Sequence, residues 1–322
     1  AWEAPLETTV TIPPLGVAGD VLVSTRGGRV TMHDGEDGKV RWARHIDTLE
    51  GMRARPVVAG GLLYLPHVDG KLWFLDQLDG RPLGRLELRR PIGDPAVLDD
   101  RVAVAAADGR LQLLLRKKID AEIALDGRPT AGIVAAHGAF WLGMSDGIVV
   151  RVTPSGSRQR KSLPGRRVPV EGLHAHAGGL LVTKGDGTLH SLDTRGERLW
   201  TVEAVGDVVG TPAVAGGVAA VMDSRARILL FDTRDGSPRG QVNLQASARH
   251  GLAAVRDRIL ATLPDGRLWI YDPATDETVC DVDLGGKVRF KPALLGDGRL
   301  AVPSGEDSFR VVTVPGPPAR DE

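Results

Sequence analysis

The chain has 322 residues, enough for two ordinary domains or for one all-β ring or barrel. Its 41 basic and 41 acidic residues cancel, which excludes the bulk attraction that a general nucleic-acid or anionic-membrane binder uses. The single cysteine, Cys280, excludes an intrachain disulfide and a Cys-rich zinc site. Glycine at 41 and proline at 21, against 5 Phe and 2 Tyr, describe many short strands joined by tight turns. The longest weakly polar stretch, Ala131 to Met144, has 14 residues and includes His137, too short to span a bilayer as a helix. The chain starts at Ala1 and not at a methionine, as a processed or excised segment does.

In chain order, a Gly-led apolar run ending in Asp recurs: "GRVTMHD" (Gly28 to Asp34), "GKLWFLD" (Gly70 to Asp76), "GTLHSLD" (Gly187 to Asp193), "ARILLFD" (Ala226 to Asp232) and "GRLWIYD" (Gly266 to Asp272). "GRLQLLL" and "GIVVRVT" are copies without the Asp. The leading positions are Gly28, Gly70, Gly109, Gly147, Gly187, Ala226, Gly266 and Asp307, spaced by 42, 39, 38, 40, 39, 40 and 41 residues. Each unit reads as four strands. The first follows a proline, as after Pro56, Pro95, Pro212 and Pro292; a Gly-Gly or Asp-Asp turn leads to the second; the Gly-led run is the third; segments such as "KVRWARHI" are the fourth. Four strands in ~40 residues is the period of a propeller blade, and the 3.6-residue apolar spacing of helical repeats is absent.

The turn from third to fourth strand carries the most specific signal: Asp34-Gly-Glu-Asp-Gly38, Asp76-Gln-Leu-Asp-Gly80, Asp193-Thr-Arg-Gly196 and Asp232-Thr-Arg-Asp-Gly236, with Trp42 and Trp200 four residues beyond the Gly of their turns. The Asp accepts from turn amides, the Gly supplies positive φ, and the Trp gives the blade an apolar plate to dock on its neighbour. The docking slot holds Gly84, Arg160, Gly240 and Cys280 in other copies, and the third copy replaces the turn with "RKKIDAEIAL" around Arg116 to Lys118. Trp2 lies 13 residues before Leu15, as Trp200 lies 12 before Pro212. Trp2 therefore fits the slot of a fourth strand whose first three strands lie at the other end, from Lys291 to Val314. The expected fold is an all-β, eight-bladed β-propeller of four antiparallel strands per blade over residues 1–314. Its N-terminal strand closes the last blade, residues near Thr8 lie beside Val312, and a solvated tail occupies 315–322.

These registers resemble the "AxDxxTGxxxW" consensus of pyrroloquinoline-quinone-like repeats over essentially the whole chain. In length, blade count and closing strand the likeness is greatest to the BamB-type lipoprotein family of the outer-membrane β-barrel assembly machinery. That resemblance implies a periplasmic, non-catalytic scaffold that binds a protein partner by loops on one face, itself a monomeric propeller within a complex, with the membrane reached only through an anchor outside this chain. A sensor or adaptor propeller cut from a larger envelope or signalling protein is the alternative. Quinone-dependent dehydrogenases share the fold and are the enzymatic alternative. They are longer chains, and many place adjacent cysteines against the cofactor, whereas Cys280 stands alone in a docking slot.

No catalytic, cofactor-binding or metal residue is assigned. His174 and His176 share one side of a first strand, and such strands line a propeller's channel. Two imidazoles without a third ligand make a poor metal site, and channel-lining polar groups are the expectation. His33 stands where other copies have Leu75, Leu192 and Phe231, and is expected in the core. No GxGxxG phosphate signature precedes a helix, and no Ser-His-Asp set is nominated. Residues just before or at the start of the first strands form a rim suited to a partner: Arg55, Asp94, His174, Thr211 and Lys291. The basic clusters Arg116–Lys118, Arg158–Lys161 and Arg166–Arg167 are the alternative surface, as one basic patch. Trp2, Trp42 and Trp200 are assigned to blade docking.

Overall fold

The structure, a computed structural model, describes residues 2–46, 52, 54–67, 69–89, 91–203, 206–244, 246, 251–284, 288, 292–295, 298–304 and 308–314. Among the described residues, 32 strands form eight four-stranded sheets in which sequence neighbours pair antiparallel. Each sheet runs from its inner strand outward, as in blade 1: Leu15–Val17, Asp20–Ser24, Arg29–His33 and Val40–His45. Blade 8 takes Ala293–Leu294, Arg299–Ser304 and Ser308–Thr313 from the C-terminal end, and its outer strand is Trp2–Pro5 from the N-terminal end. Trp2 pairs with Val311 and Pro5 with Ser308, and Arg310 Nε donates to Glu3 Oε2 at 2.9 Å. The closing strand is thus set earlier than the Thr8 position the repeat suggests, because Thr8 is already past the sheet and donates its hydroxyl to Arg26 O at 3.1 Å. Residues 315–322, expected as a tail, lie outside the described residues.

The core sits between blades. Eight buried apolar clusters mark the eight seams, one of them joining blade 8 to blade 1 through Ala4, Val21, Val23, Ala301, Phe309 and Val311. Strand alternation divides each blade between two seams: Val21 and Val23 face blade 8, and Leu22, between them, faces blade 2. A sheet whose two faces both meet another sheet has no solvated side, which is why the second and third strands are largely buried.

The Asp turns behave as their chemistry dictates. Asp34, Asp76 and Asp232 each accept at Oδ1 from the amide two residues on, at 2.8, 2.8 and 2.9 Å. Gly38, Gly80 and Gly236 close the turns at φ of 77, 69 and 75°. These glycines are also contact surfaces, because each lies beneath the Trp of the preceding blade: Gly38 under Trp2, Gly80 under Trp42 and Gly236 under Trp200. The indole N–H of Trp2 donates to Gly35 O at 3.0 Å and that of Trp200 to Thr233 O at 2.9 Å, the same carbonyl in both turns. Trp42 Nε1 is buried without a partner among the described residues.

In two blades whose slot holds no Trp, an aromatic residue on the second strand takes over. Blade 2 has Gly84 in the slot, and Tyr64, fully buried, donates its hydroxyl to Arg116 O of blade 3 at 2.7 Å. Blade 4 has Arg160 there, and Trp141 covers Gly196 of blade 5. Cys280 pairs in register with Ile270, the slot position of blade 7; its side chain is outside those described.

Candidate functional site

The inner strands surround an open channel of about 690 Å³. In six blades they span two or three residues, but in blades 5 and 6 they run Val170–His176 and Val208–Ala215. Both longer strands break register near their starts, between Val170 and Gly172 and between Val209 and Ala213. A bulge re-aims the residues it releases. Here it releases Glu171 in one strand and Gly210, Thr211 and Pro212 in the other, and Glu171 and Thr211 both line the channel.

Four of the five residues expected at the rim, Arg55, Asp94, His174 and Thr211, line this one cavity; Lys291 lies outside the described residues. The Asp94 carboxylate reaches across from blade 3 and accepts from the Arg55 backbone N–H of blade 2 at 2.8 Å. Burial pushes the Arg55 guanidinium below its ordinary range, opposed by the Asp94 charge. Arg55 Nε has no hydrogen-bond partner among the described residues. Glu171 was not singled out in the sequence. Its bulge is the cause, because the strand alternation read from the sequence does not show where the register breaks. The remaining wall is mostly backbone and small apolar groups, with Leu294 48% exposed into the opening.

His176, two residues along from His174, accepts at Nδ1 from the Gly178 N–H at 3.2 Å. Burial lowers its pKa, and His137 adds to the effect. Among the described residues no three His, Cys, Asp or Glu side chains converge as metal ligands. His33 is a core residue with both nitrogens bonded, to Thr31 Oγ1 at 2.9 Å and Gly38 O at 3.0 Å, and its ring meets Phe309 edge-on at 5.0 Å.

Of the three basic clusters, Arg158–Lys161 is spent on neighbouring groups. On the outer strand of blade 4, Arg158 pairs with Asp126 at 2.6 Å, Arg160 with Asp146 at 2.8 Å, and Lys161 with Glu197. Arg158 and Arg160 also donate to the Ala124 and Leu125 carbonyls of blade 3. They stitch blades 3, 4 and 5 together, and little uncompensated positive field remains there.

Solved structures of other proteins share this architecture. BamB from Moraxella catarrhalis superposes with a TM-score of 0.81 at 15% identity, over 98% of this chain and 99% of that one. The computationally designed Ika8 protein gives 0.73 at 16% identity over 96% and 98%. Saccharomyces cerevisiae Sqt1 gives 0.76 at 12% identity over 98% of each chain. At such identities the likeness is one of fold. No curated protein matches the sequence. The family model described as outer membrane protein assembly factor BamB matches residues 1–117 and 145–275, and so the chain belongs to the BamB family of propellers.

Proposed function

We propose that the protein is a non-catalytic scaffold of outer-membrane protein assembly, held on the extracytoplasmic side of the envelope, which binds a partner protein at the mouth of its channel. Arg55, Asp94, His174 and Thr211 are the proposed contacts, with Lys291 as a fifth. The observation that carries this reading is the convergence of four polar side chains from four different blades on one opening, in a chain of the BamB family. Rigid strands hold these groups around the opening. The family's protein-assembly role supports a protein partner over a small molecule.

The test is affinity purification of the tagged chain from detergent-solubilised envelopes of its own organism, alongside a folded Arg55→Glu, His174→Glu variant. Recovery of an outer-membrane assembly component with the wild type, reduced at least tenfold with the variant, is the expected result. Equal recovery would move the binding surface off the channel mouth. Recovery of only signalling proteins would overturn the assembly role.

A further inference from the structure

A second, smaller space lies between blades 1 and 2. It is a void of about 10 Å³ walled by Ser24, His67 and Trp73 together with apolar atoms of Val30, Met52 and Leu65. Ser24 and His67 are only 2% and 4% exposed. Three polar atoms of this wall, Ser24 Oγ, His67 Nε2 and Trp73 Nε1, are buried and have no hydrogen-bond partner among the described residues. Unpaired buried polar atoms are rare in folded proteins, and three around one void share one explanation.

The tautomer of the neutral His67 ring follows from its other nitrogen. Nδ1 lies 2.9 Å from Asp69 Oδ1 and 3.3 Å from the Asp69 backbone N–H. The carboxylate contact is the shorter and is charge-assisted, so in the neutral ring Nδ1 carries the proton and Nε2 is left as the acceptor. Trp73 Nε1–H can only donate, and the Ser24 hydroxyl can do either.

We propose that this void is a binding site for a single water molecule, which accepts from Trp73 Nε1–H, donates to His67 Nε2 and exchanges a hydrogen bond with Ser24 Oγ, joining blade 1 to blade 2. Its volume, about that of one water-sized probe, is the least a water needs, and three polar partners match the usual two to four. A metal cation is the wrong ligand, because an indole N–H offers it no lone pair. Anions and organic molecules are too large. The order carboxylate, imidazole, hydroxyl in Asp69, His67 and Ser24 is that of a nucleophilic triad. Here it is closed to substrate, and Ser24 is not hydrogen-bonded to His67. The row therefore serves cohesion between blades, independently of what the channel binds.

Water-selective NMR on the intact protein tests this. The Trp73 indole N–H, assigned by its loss in Trp73→Phe, should show a cross-peak at the water frequency with NOE and ROE of opposite sign, the mark of a long-lived water. The Trp200 indole, which donates to Thr233 O at 2.9 Å, is the control and should show none. In Ser24→Val the added methyl fills the void, and the Trp73 cross-peak should vanish while the Trp200 indole signal keeps its shift. A crystal structure should hold one solvent peak within hydrogen-bond distance of all three atoms. A missing cross-peak in the wild type, its survival in Ser24→Val, or ordered side chains around an empty void would each overturn the proposal.

Discussion

Trp2 donates its indole N–H to Gly35 O, and a Cβ added to Gly38 would come within 2.5 Å of the same ring. The N-terminal strand therefore does two things: it completes blade 8 by pairing with Ser308–Val311, and it presses blade 8 onto the Asp turn of blade 1. Trp2→Ala removes a half-buried plate that also meets Phe309 edge-on at 5.2 Å, and should cost about 2–3 kcal/mol. Deleting residues 1–5 should cost more and also bare the Ser308–Thr313 edge, so the variant should self-associate. Chemical denaturation and size-exclusion chromatography read the two effects. An unchanged midpoint for both variants would mean that the seam contributes nothing.

Gly80 and Gly61 separate ring contact from backbone strain. Both sit at positive φ, 69 and 75°, but a Cβ on Gly80 would stand 2.4 Å from Trp42 Cε3, whereas one on Gly61 meets nothing within 4 Å. Gly61→Ala should cost about 1 kcal/mol from φ alone. Gly80→Ala should cost about 1–3 kcal/mol beyond that. The excess should disappear in a Trp42→Ala background, and a double-mutant cycle on the unfolding free energies measures it.

Acid sensitivity should centre on His190, which is fully buried beside Thr201 Oγ1 at 2.9 Å. Burial pulls its pKa from 6.5 to about 4, the Lys184 and Arg198 charges add to this, and Asp186 opposes it. With the folded value below the unfolded one, the unfolded chain binds the proton first as pH falls. The stability is present above pH 6.5 and is lost progressively down to about pH 4. The loss from this group is on the order of 3 kcal/mol. Unfolding measured from pH 7.5 to 4 should slope less steeply for His190→Asn than for the wild type. His33 and His176, whose values are also lowered by burial, keep some slope in both.

Arg258 and Asp272 form an ion pair with both side chains almost fully buried, Nη2 to Oδ2 at 3.1 Å. Removing one partner strands the other charge, so Arg258→Met should destabilise by about 3–5 kcal/mol. Arg258→Met with Asp272→Asn should recover part of that loss, because the amide is neutral and its oxygen can still accept from the Ala274 N–H, now 2.9 Å from Asp272 Oδ1. Equal destabilisation in the single and double variants would show that the unpaired charge is not the cause.

The blade count and the closing strand were legible because the third strand and its Asp turn carry side chains with fixed tasks at fixed spacing. The exact closing register was not, since Trp2 marks the slot but nothing marks where the chain leaves the sheet before Thr8. The seams lacking Trp were not legible either. Tyr64 and Trp141 stand on second strands, so an alignment on the docking slot reads Gly84 and Arg160 as losses, while in space the aromatic plate has moved by one strand. Of the four expected rim residues that line the channel, Arg55 and Asp94 precede their inner strands as the repeat suggests, whereas His174 and Thr211 lie within theirs. Glu171 escaped because its bulge shifts the alternation by one. Arg158–Lys161 looked like part of a patch because its counter-charges, Asp126 from the preceding blade and Glu197 from the following one, are neighbours only once the sheets pack.

The pairing of Glu3 with Arg310 joins residues 307 positions apart, and this orders events in time. Blades 2 to 7 are built from hairpins whose partners lie within one repeat, and each can form as soon as its own segment is available. Blade 8 cannot. Its outer strand precedes blades 1 to 7 in the chain and its other three strands follow them, so Trp2 stays without its sheet until those three are present. Loop closure over such a length adds an entropic delay. On synthesis or translocation the ring should therefore close late, and the seam between blades 8 and 1 should be the first to open when the molecule is pulled or heated.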